Sequence, residues 1–141
     1  MTVRAILSGK GGDVTSIAPG ATVADAVKLL ATHRIGAVPV TDATGVVGIF
    51  SERDVIYCLA SEGGAALEKK VADVMTSPAL TVDTAAPVMS ALSMMSRRRI
   101  RHLPVVEEGS MVGFVSIGDL VKYRIDKIEA EAAALRDYIA S

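Results

Sequence analysis

GIFSERD at Gly48–Asp54 returns as GFVSIGD at Gly113–Asp119, with the same Gly, Ser and Asp at the same spacing and different residues between them. The recurrence extends well beyond the motif. Laying Pro39 on Pro104, a shift of 65 residues, pairs Ser16–Ile56 with Thr81–Val121 without a gap and matches Val23 with Val88, Ala26 with Ala91, Ile35 with Ile100 and Val47 with Val112. The chain is an internal duplication, and a repeat governs how the rest of a sequence is read. Upstream, VRAILS (Val3–Ser8) is similar to VADVMT (Val71–Thr76) at a shift of 68. The following stretch, GKGGDV (Gly9–Val14), is therefore three residues longer in the first half, an insertion expected in a loop, where it costs least.

Each half carries the same order of elements. Val23, Ala26, Val27 and Leu30, matched by Val88, Ala91, Leu92 and Met95, have the i, i+3, i+4, i+7 spacing of a helix with one buried face. Thr22 and Asp25 form a capping box at its start, and the second copy has Pro87, which suits a first helical turn. Two short apolar runs follow, AVPV then VVGIF in the first half and HLPVV then MVGFV in the second. They are joined by TDATG or EEGS, which are hairpin-turn compositions. Pro39 and Pro104 are expected at strand starts or edges. A second helix starts near Ser51 and near Ser116, and short strands around Thr15–Ile17 and Leu80–Val82 precede the first helices. Each half thus reads strand, helix, strand, strand, helix, an α/β class. Units of about 60 residues bury too little surface to stand alone comfortably. The halves should therefore pack as a pseudo-twofold pair with equivalent residues facing one cleft.

The balance of 15 basic and 16 acidic side chains gives no overall drive toward nucleic acid or an anionic membrane. One cysteine, Cys58, excludes an intrachain disulfide and any multi-cysteine metal site, and reads as a small buried apolar group. No apolar run approaches the roughly 20 residues of a membrane span, and MTVRAILSGK lacks the apolar core of a signal peptide, so a soluble, cytoplasmic protein is expected. His33 and His102 are too few for a zinc site, and no Ser, His and acid arrangement points to a triad. GKGG (Gly9–Gly12) departs from the phosphate-loop pattern and reads as a flexible connector. Met89, Met94 and Met95 read as core filling. In RRRIR, Arg97 to Arg99 suit a helix C-terminus, and Arg101 and His102 open a strand.

Ser51-x-x-Asp54 and Ser116-x-x-Asp119 are capping-box patterns, which account for two of the three motif residues. Capping leaves Gly48 and Gly113 unexplained, because glycine inside an apolar strand marks close approach of a ligand or another backbone. The two readings are compatible, since a carboxylate has several acceptor positions and can cap while also accepting from a hydroxyl.

The duplicated order, with RIGAVPV…VVGIFSERD and RIRHLPVV…MVGFVSIGD, resembles the tandem CBS domain family (cystathionine β-synthase domains) over nearly the whole chain. The resemblance implies one repeat over residues 1–64, a second over 65–122 and a C-terminal helical extension over 123–141. It also implies a regulatory, non-catalytic module that binds AMP, ADP, ATP, S-adenosylmethionine or NAD(H) in the cleft between repeats. Carried over, Asp54 and Asp119 accept from the ribose hydroxyls, with Ser51 and Ser116 beside them. Gly48, Gly113, Ala37, Pro39, Leu103 and Pro104 supply the strand backbone and apolar surface around adenine. An unidentified regulated protein is implied as partner. Alternatives are an adaptor or dimerisation protein without nucleotide and, with less support from the charge balance, a nucleic-acid binder.

Two further expectations concern asymmetry and assembly. Aligned strand starts read IGAVPV and IRHLPV, so a phosphate-discriminating site is expected where Asp54 meets Arg101 and His102, with Arg53 nearby. A less charged site is expected where Asp119 faces Gly36 and Ala37. From Asp119 to Ile139 the chain reads as one helix about 30 Å long. On it, Val121, Ile125, Ile128, Ala132, Leu135 and Ile139 form a heptad seam, expected to reinforce a homodimer.

Overall fold

Val3 and Ile6, about one helical turn apart, form the buried side of α1 (Val3–Lys10), which ends where Gly11 takes a φ of +95°. In the computed structural model, which covers residues 1–141, the first repeat continues with α2 (Val23–His33), β1 (Ala37–Asp42), β2 (Gly45–Ser51) and α3 (Glu52–Glu62). A 3-10 turn (Gly63–Glu68) and the short α4 (Val71–Val74) lead into β3 (Val82–Asp83), α5 (Val88–Arg98), β4 (His102–Glu107), β5 (Ser110–Ser116) and α6 (Ile117–Ala140). The expected α/β architecture, with its long C-terminal helix, is present. No helix is long and apolar enough to cross a membrane.

Local chemistry starts each element where the sequence places it. Thr22 Oγ1 accepts from the Asp25 N–H at 3.1 Å while the Asp25 carboxylate accepts from the Thr22 N–H at 3.2 Å, closing the box that begins α2. Pro87 stands at the cap of α5 and contributes no side-chain hydrogen bond. Both leading helices end on an arginine in the left-handed region, Arg34 at φ 53° and Arg99 at φ 54°. Both hairpins carry a register shift at the same place, between Val40 and Thr41 and between Val105 and Val106.

Two strand expectations are corrected. Pro39 and Pro104 both occupy the third position of their strands; β1 is an edge of its two-stranded sheet, as expected for Pro39, whereas Pro104 stands in β4, between β3 and β5. Pro39 is tolerated because its polar side faces away from the hairpin partner: its carbonyl accepts from the Ile17 N–H at 3.1 Å. The strand expected over Thr15–Ile17 is reduced to a single parallel bridge between Ile17 and Val40, whereas β3 pairs through Val82 and Asp83. Lengthening the first ladder by one residue needs an N–H at position 19, and Pro19 has none, whereas Thr84 stands at the equivalent place.

There are two cores, and the chain crosses between them. Val23, Ala26, Leu30, Val38, Val40, Phe50 and Cys58 of the first repeat pack with Ala66 and Val71, which lead into the second. Val82, Val88, Ala91, Met95, Leu103, Val105, Val115 and Leu120 of the second pack with Val3 and Ile6, which precede the first. Matching hydrogen bonds hold the two arms. Val3 N–H donates to Ala86 O at 2.9 Å where Val71 N–H donates to Ala21 O at 2.8 Å, and Arg4 N–H to Thr84 O at 3.0 Å where Ala72 N–H donates to Pro19 O at 3.0 Å. This crossing is the pseudo-twofold relation expected from the duplication. Each arm adds buried apolar side chains to the other half's core, worth roughly 1.5–3 kcal/mol apiece for Val3, Ile6 and Val71, which addresses the instability of units this small.

Candidate functional site

Strands β2 and β5 deliver the two motifs to the starts of α3 and α6, and both capping boxes close. The Asp54 carboxylate accepts from the Ser51 N–H at 2.9 Å and the Asp119 carboxylate from the Ser116 N–H at 2.8 Å, each through Oδ2. In return each serine Oγ accepts from its aspartate's N–H, at 3.4 Å for Ser51 and 3.1 Å for Ser116. Capping is therefore real at both motifs, and it uses the same oxygen in each.

The glycines have a structural cause. A Cβ on Gly48 would lie 2.6 Å from Met75 Sδ and 2.9 Å from Thr76 O, and a Cβ on Gly113 would lie 2.9 Å from Leu7 Cδ1. The close approach read from the sequence is made by the crossed arms, so these two positions are roofed by protein. Leu103 is likewise fully buried in the second core, and Pro39 and Pro104 are buried within their strands.

Around Asp119 a cavity of about 410 Å³ opens between the repeats. Ser116, Asp119, Phe114 and His102 line it from the second repeat, Arg34, Gly36 and Ala37 from the first, and Lys10 with Asp13 to Thr15 from the stretch after α1. The His102 ring stacks on Phe114 with centroids 5.5 Å apart and 14° between planes. Gly36 lies beside the ring, where a Cβ would meet His102 Cε1 at an ordinary contact distance of 3.6 Å. Lys10 Nζ donates to Asp119 Oδ2 at 2.5 Å and to Phe114 O at 2.7 Å. Burial raises the Asp119 pKa, but the Lys10 hydrogen bond, the Ser116 backbone N–H and the Lys10 charge outweigh it and hold the carboxyl below its ordinary value. Burial, then the charge of Lys10, lowers the His102 pKa against the opposing pull of Asp119, favouring the neutral ring.

Asp54 has different surroundings. Its Oδ1 accepts from Thr76 Oγ1 at 3.1 Å, and the Thr76 backbone exchanges two 2.9 Å hydrogen bonds with Ile49. The cavity it borders, about 280 Å³, is lined by Asp54, Tyr57, Cys58, Ser61, Glu62, Lys69 and Val74, and none of these lies in the second repeat's strands. Arg53 donates to Arg99 O at 3.1 Å across the repeats. Arg101 is exposed, and its carbonyl accepts from the Ile117 N–H at 2.8 Å.

The expected charge asymmetry is thus reversed. His102 faces Asp119, not Asp54, and the Asp119 cavity that was expected to be the less charged one holds Lys10 and Arg34. The pseudo-twofold brings His102 into the same cavity as Gly36 and Ala37 of the first repeat. Lys10 escaped sequence reading because GKGG resembled a flexible connector, whereas Gly9 and Lys10 complete α1. The one available signal was the three-residue length difference, which sets a lysine where the other half has Pro78.

Comparison with known proteins is consistent over most of the chain. The CBS domain profile matches twice, at residues 4–61 and 71–126. A CBS domain-containing protein CBSX3, mitochondrial, from Arabidopsis thaliana is 36% identical over 123 residues, covering 84% of this chain and 60% of its own length. The crystal structure of the CBS-domain containing protein ATU1752 from Agrobacterium tumefaciens superposes with a TM-score of 0.85 at 38% identity, covering 88% of this chain and 99% of that one. The CBS domain pair of protein MJ0100, crystallised in complex with 5′-methylthioadenosine and S-adenosyl-L-methionine, superposes with a TM-score of 0.79 at 26% identity, covering 90% and 98%.

Proposed function

The chain belongs to the CBS domain family, as a tandem pair of repeats, and from that premise we propose that it is a non-catalytic regulatory module binding an adenosine-containing ligand in the cavity at Asp119. The observation that carries the reading is the cavity itself. Its volume of about 410 Å³ lies within the range of small-molecule sites, roughly 300–1,000 Å³. A capped carboxylate, a serine and a stacked ring pair meet there at the junction of the repeats. Asp119 spends Oδ2 on capping and on Lys10, and Oδ1 has no protein donor. A vicinal diol supplies two donors, which suits a carboxylate with acceptor capacity left. The adenosine ligands bound by MJ0100 support the same class here. Candidate ligands are AMP, ADP, ATP, NAD(H) and S-adenosylmethionine, the output passes to a protein partner, and the site of action is cytoplasmic.

Isothermal calorimetry with each candidate, paired with native mass spectrometry of the purified protein, tests this. Micromolar to low-millimolar binding of at least one ligand is expected, and no heat from any of them up to several millimolar would remove the proposal.

Assembly as a homodimer forms part of it. Val121, Ile125, Ile128, Leu135 and Ile139 are all at least 41% exposed along α6, which meets its own module through Leu120 and Tyr123. Ile56 and Tyr57 on α3 are 62% and 65% exposed. Sedimentation of the full chain and of one ending at Lys122 should give a tighter dimer for the full chain. Equal dissociation constants would take the tail out of the account.

A further inference from the structure

The two halves hold their motif carboxylates by different means. At Asp54 the partner is Thr76, neutral and fixed by two backbone hydrogen bonds to Ile49. At the equivalent of Thr76 stands Ser8, whose hydroxyl donates to Arg4 O within α1 and does not reach the motif. Lys10 takes over both functions, since its one ammonium bonds the carboxylate of Asp119 and the carbonyl of Phe114, the residue equivalent to Ile49.

We infer that Lys10 is a specificity residue of the Asp119 cavity: it occupies Oδ2 of the carboxylate in the free protein and moves to the phosphate of an incoming ligand, so that the cavity favours anionic adenosine ligands over neutral ones. The inference rests on the reading of this cavity as an adenosine site. Lys10 is built to move. Its contact is made by one flexible side chain, 39% exposed, against a carboxylate 28% exposed. Neither Gly9 nor Gly11 has a neighbour within 4 Å of where a Cβ would stand, so there is open space on both sides of Lys10 along the chain. Ion pairs exposed to this degree are weak and easily exchanged. A ribose diol that engages both carboxylate oxygens of Asp119 competes with the ammonium for Oδ2, and a neutral ligand returns nothing to it. A phosphate offers it several charged acceptors, and an ammonium binds phosphate as a mobile point charge. Arg34 lines the same cavity from the opposite repeat and adds a second positive charge.

The test compares adenosine with AMP by calorimetry on the parent, Lys10→Met and Lys10→Arg. The parent should prefer AMP. Lys10→Met should lower AMP affinity by roughly 10- to 100-fold, the equivalent of a lost hydrogen bond between charged groups. Adenosine affinity should hold or rise, and Lys10→Arg should keep the preference. An unchanged AMP-to-adenosine ratio in Lys10→Met, or equal losses of both ligands, would overturn the inference while leaving the adenosine site standing. A parent that binds neither ligand also overturns the inference, and the site itself falls only when none of the candidate adenosine ligands binds. The resting contact is checked without any ligand by carboxyl-carbon NMR of Asp119, whose titration should move upward in Lys10→Met. No movement there would also overturn the inference.

Discussion

Asp54 and Asp119 are the same residue in two copies of one unit, each capping a helix through Oδ2 from the end of a bulged hairpin. Their neighbours have diverged. Asp54 is held by a threonine on an arm bonded to β2 through its backbone, and the cavity beside it draws on the first repeat and the connecting segment. Asp119 is held by a lysine at the end of a longer helix, and its cavity draws on both repeats. Duplication preserved what the fold requires of a motif, the cap and the roofed glycine. The arm that roofs each strand was free to change, and that difference sets the surroundings of the two carboxylates apart.

The sharpest way to break the comparison is at the roofs. Gly48→Ala would drive a methyl into the Thr76 carbonyl and the Met75 sulfur, and Gly113→Ala into the side chain of Leu7. A carbonyl in a hydrogen-bonded bridge cannot yield, and a leucine can change rotamer. We expect Gly48→Ala to cost about 2–3 kcal/mol, in the upper range for overpacking, and Gly113→Ala about 1 kcal/mol. Urea midpoints measure both, and equal costs would show that the two roofs are equally rigid.

The carboxylates separate binding from capping. Asp119→Ala should weaken adenosine-ligand affinity by about 1.5–3 kcal/mol, the range for hydrogen bonds to a charged group. Asp54→Ala should leave that affinity nearly intact. Both should lose about 1 kcal/mol of stability, as broken caps do. If Asp54→Ala abolishes calorimetric binding and Asp119→Ala does not, the assignment of the cavity is inverted.

Smaller effects are expected from pH, and in the Asp119 cavity they should arise from His102 and from Asp119 itself. The folded-state pKa of His102 is lowered, so the unfolded chain takes up its proton first as pH falls. Its contribution is therefore complete above the ordinary histidine value of 6.5 and is lost as pH drops from there through the folded value. The Asp119 contribution behaves likewise lower on the scale, complete above 3.8 and lost below it. His102→Phe keeps a ring against Phe114 and should remove the upper limb from a plot of melting temperature against pH, and Asp119→Asn should flatten the lower one. An upper limb that persists in His102→Phe would assign it to another group.

The duplication, the element order, the helix starts at Thr22, Ser51 and Ser116 and the presence of two hairpins were legible in the sequence alone. All of these are local: a capping box spans four residues, an amphipathic face repeats along one helix, and a hairpin closes on itself. Even Gly48 and Gly113 announced a close approach, since a missing Cβ inside a strand is visible without coordinates. What approached them was decided only in three dimensions. Leu7 and Met75 lie far along the chain from the glycines they cover, and the crossing of the arms sends each to the other half's core. The same crossing sets Lys10 on Asp119, and the pseudo-twofold carries His102 across to Gly36. Such contacts have no period or spacing to betray them, because they follow from how two finished units bury their remaining apolar surface against each other.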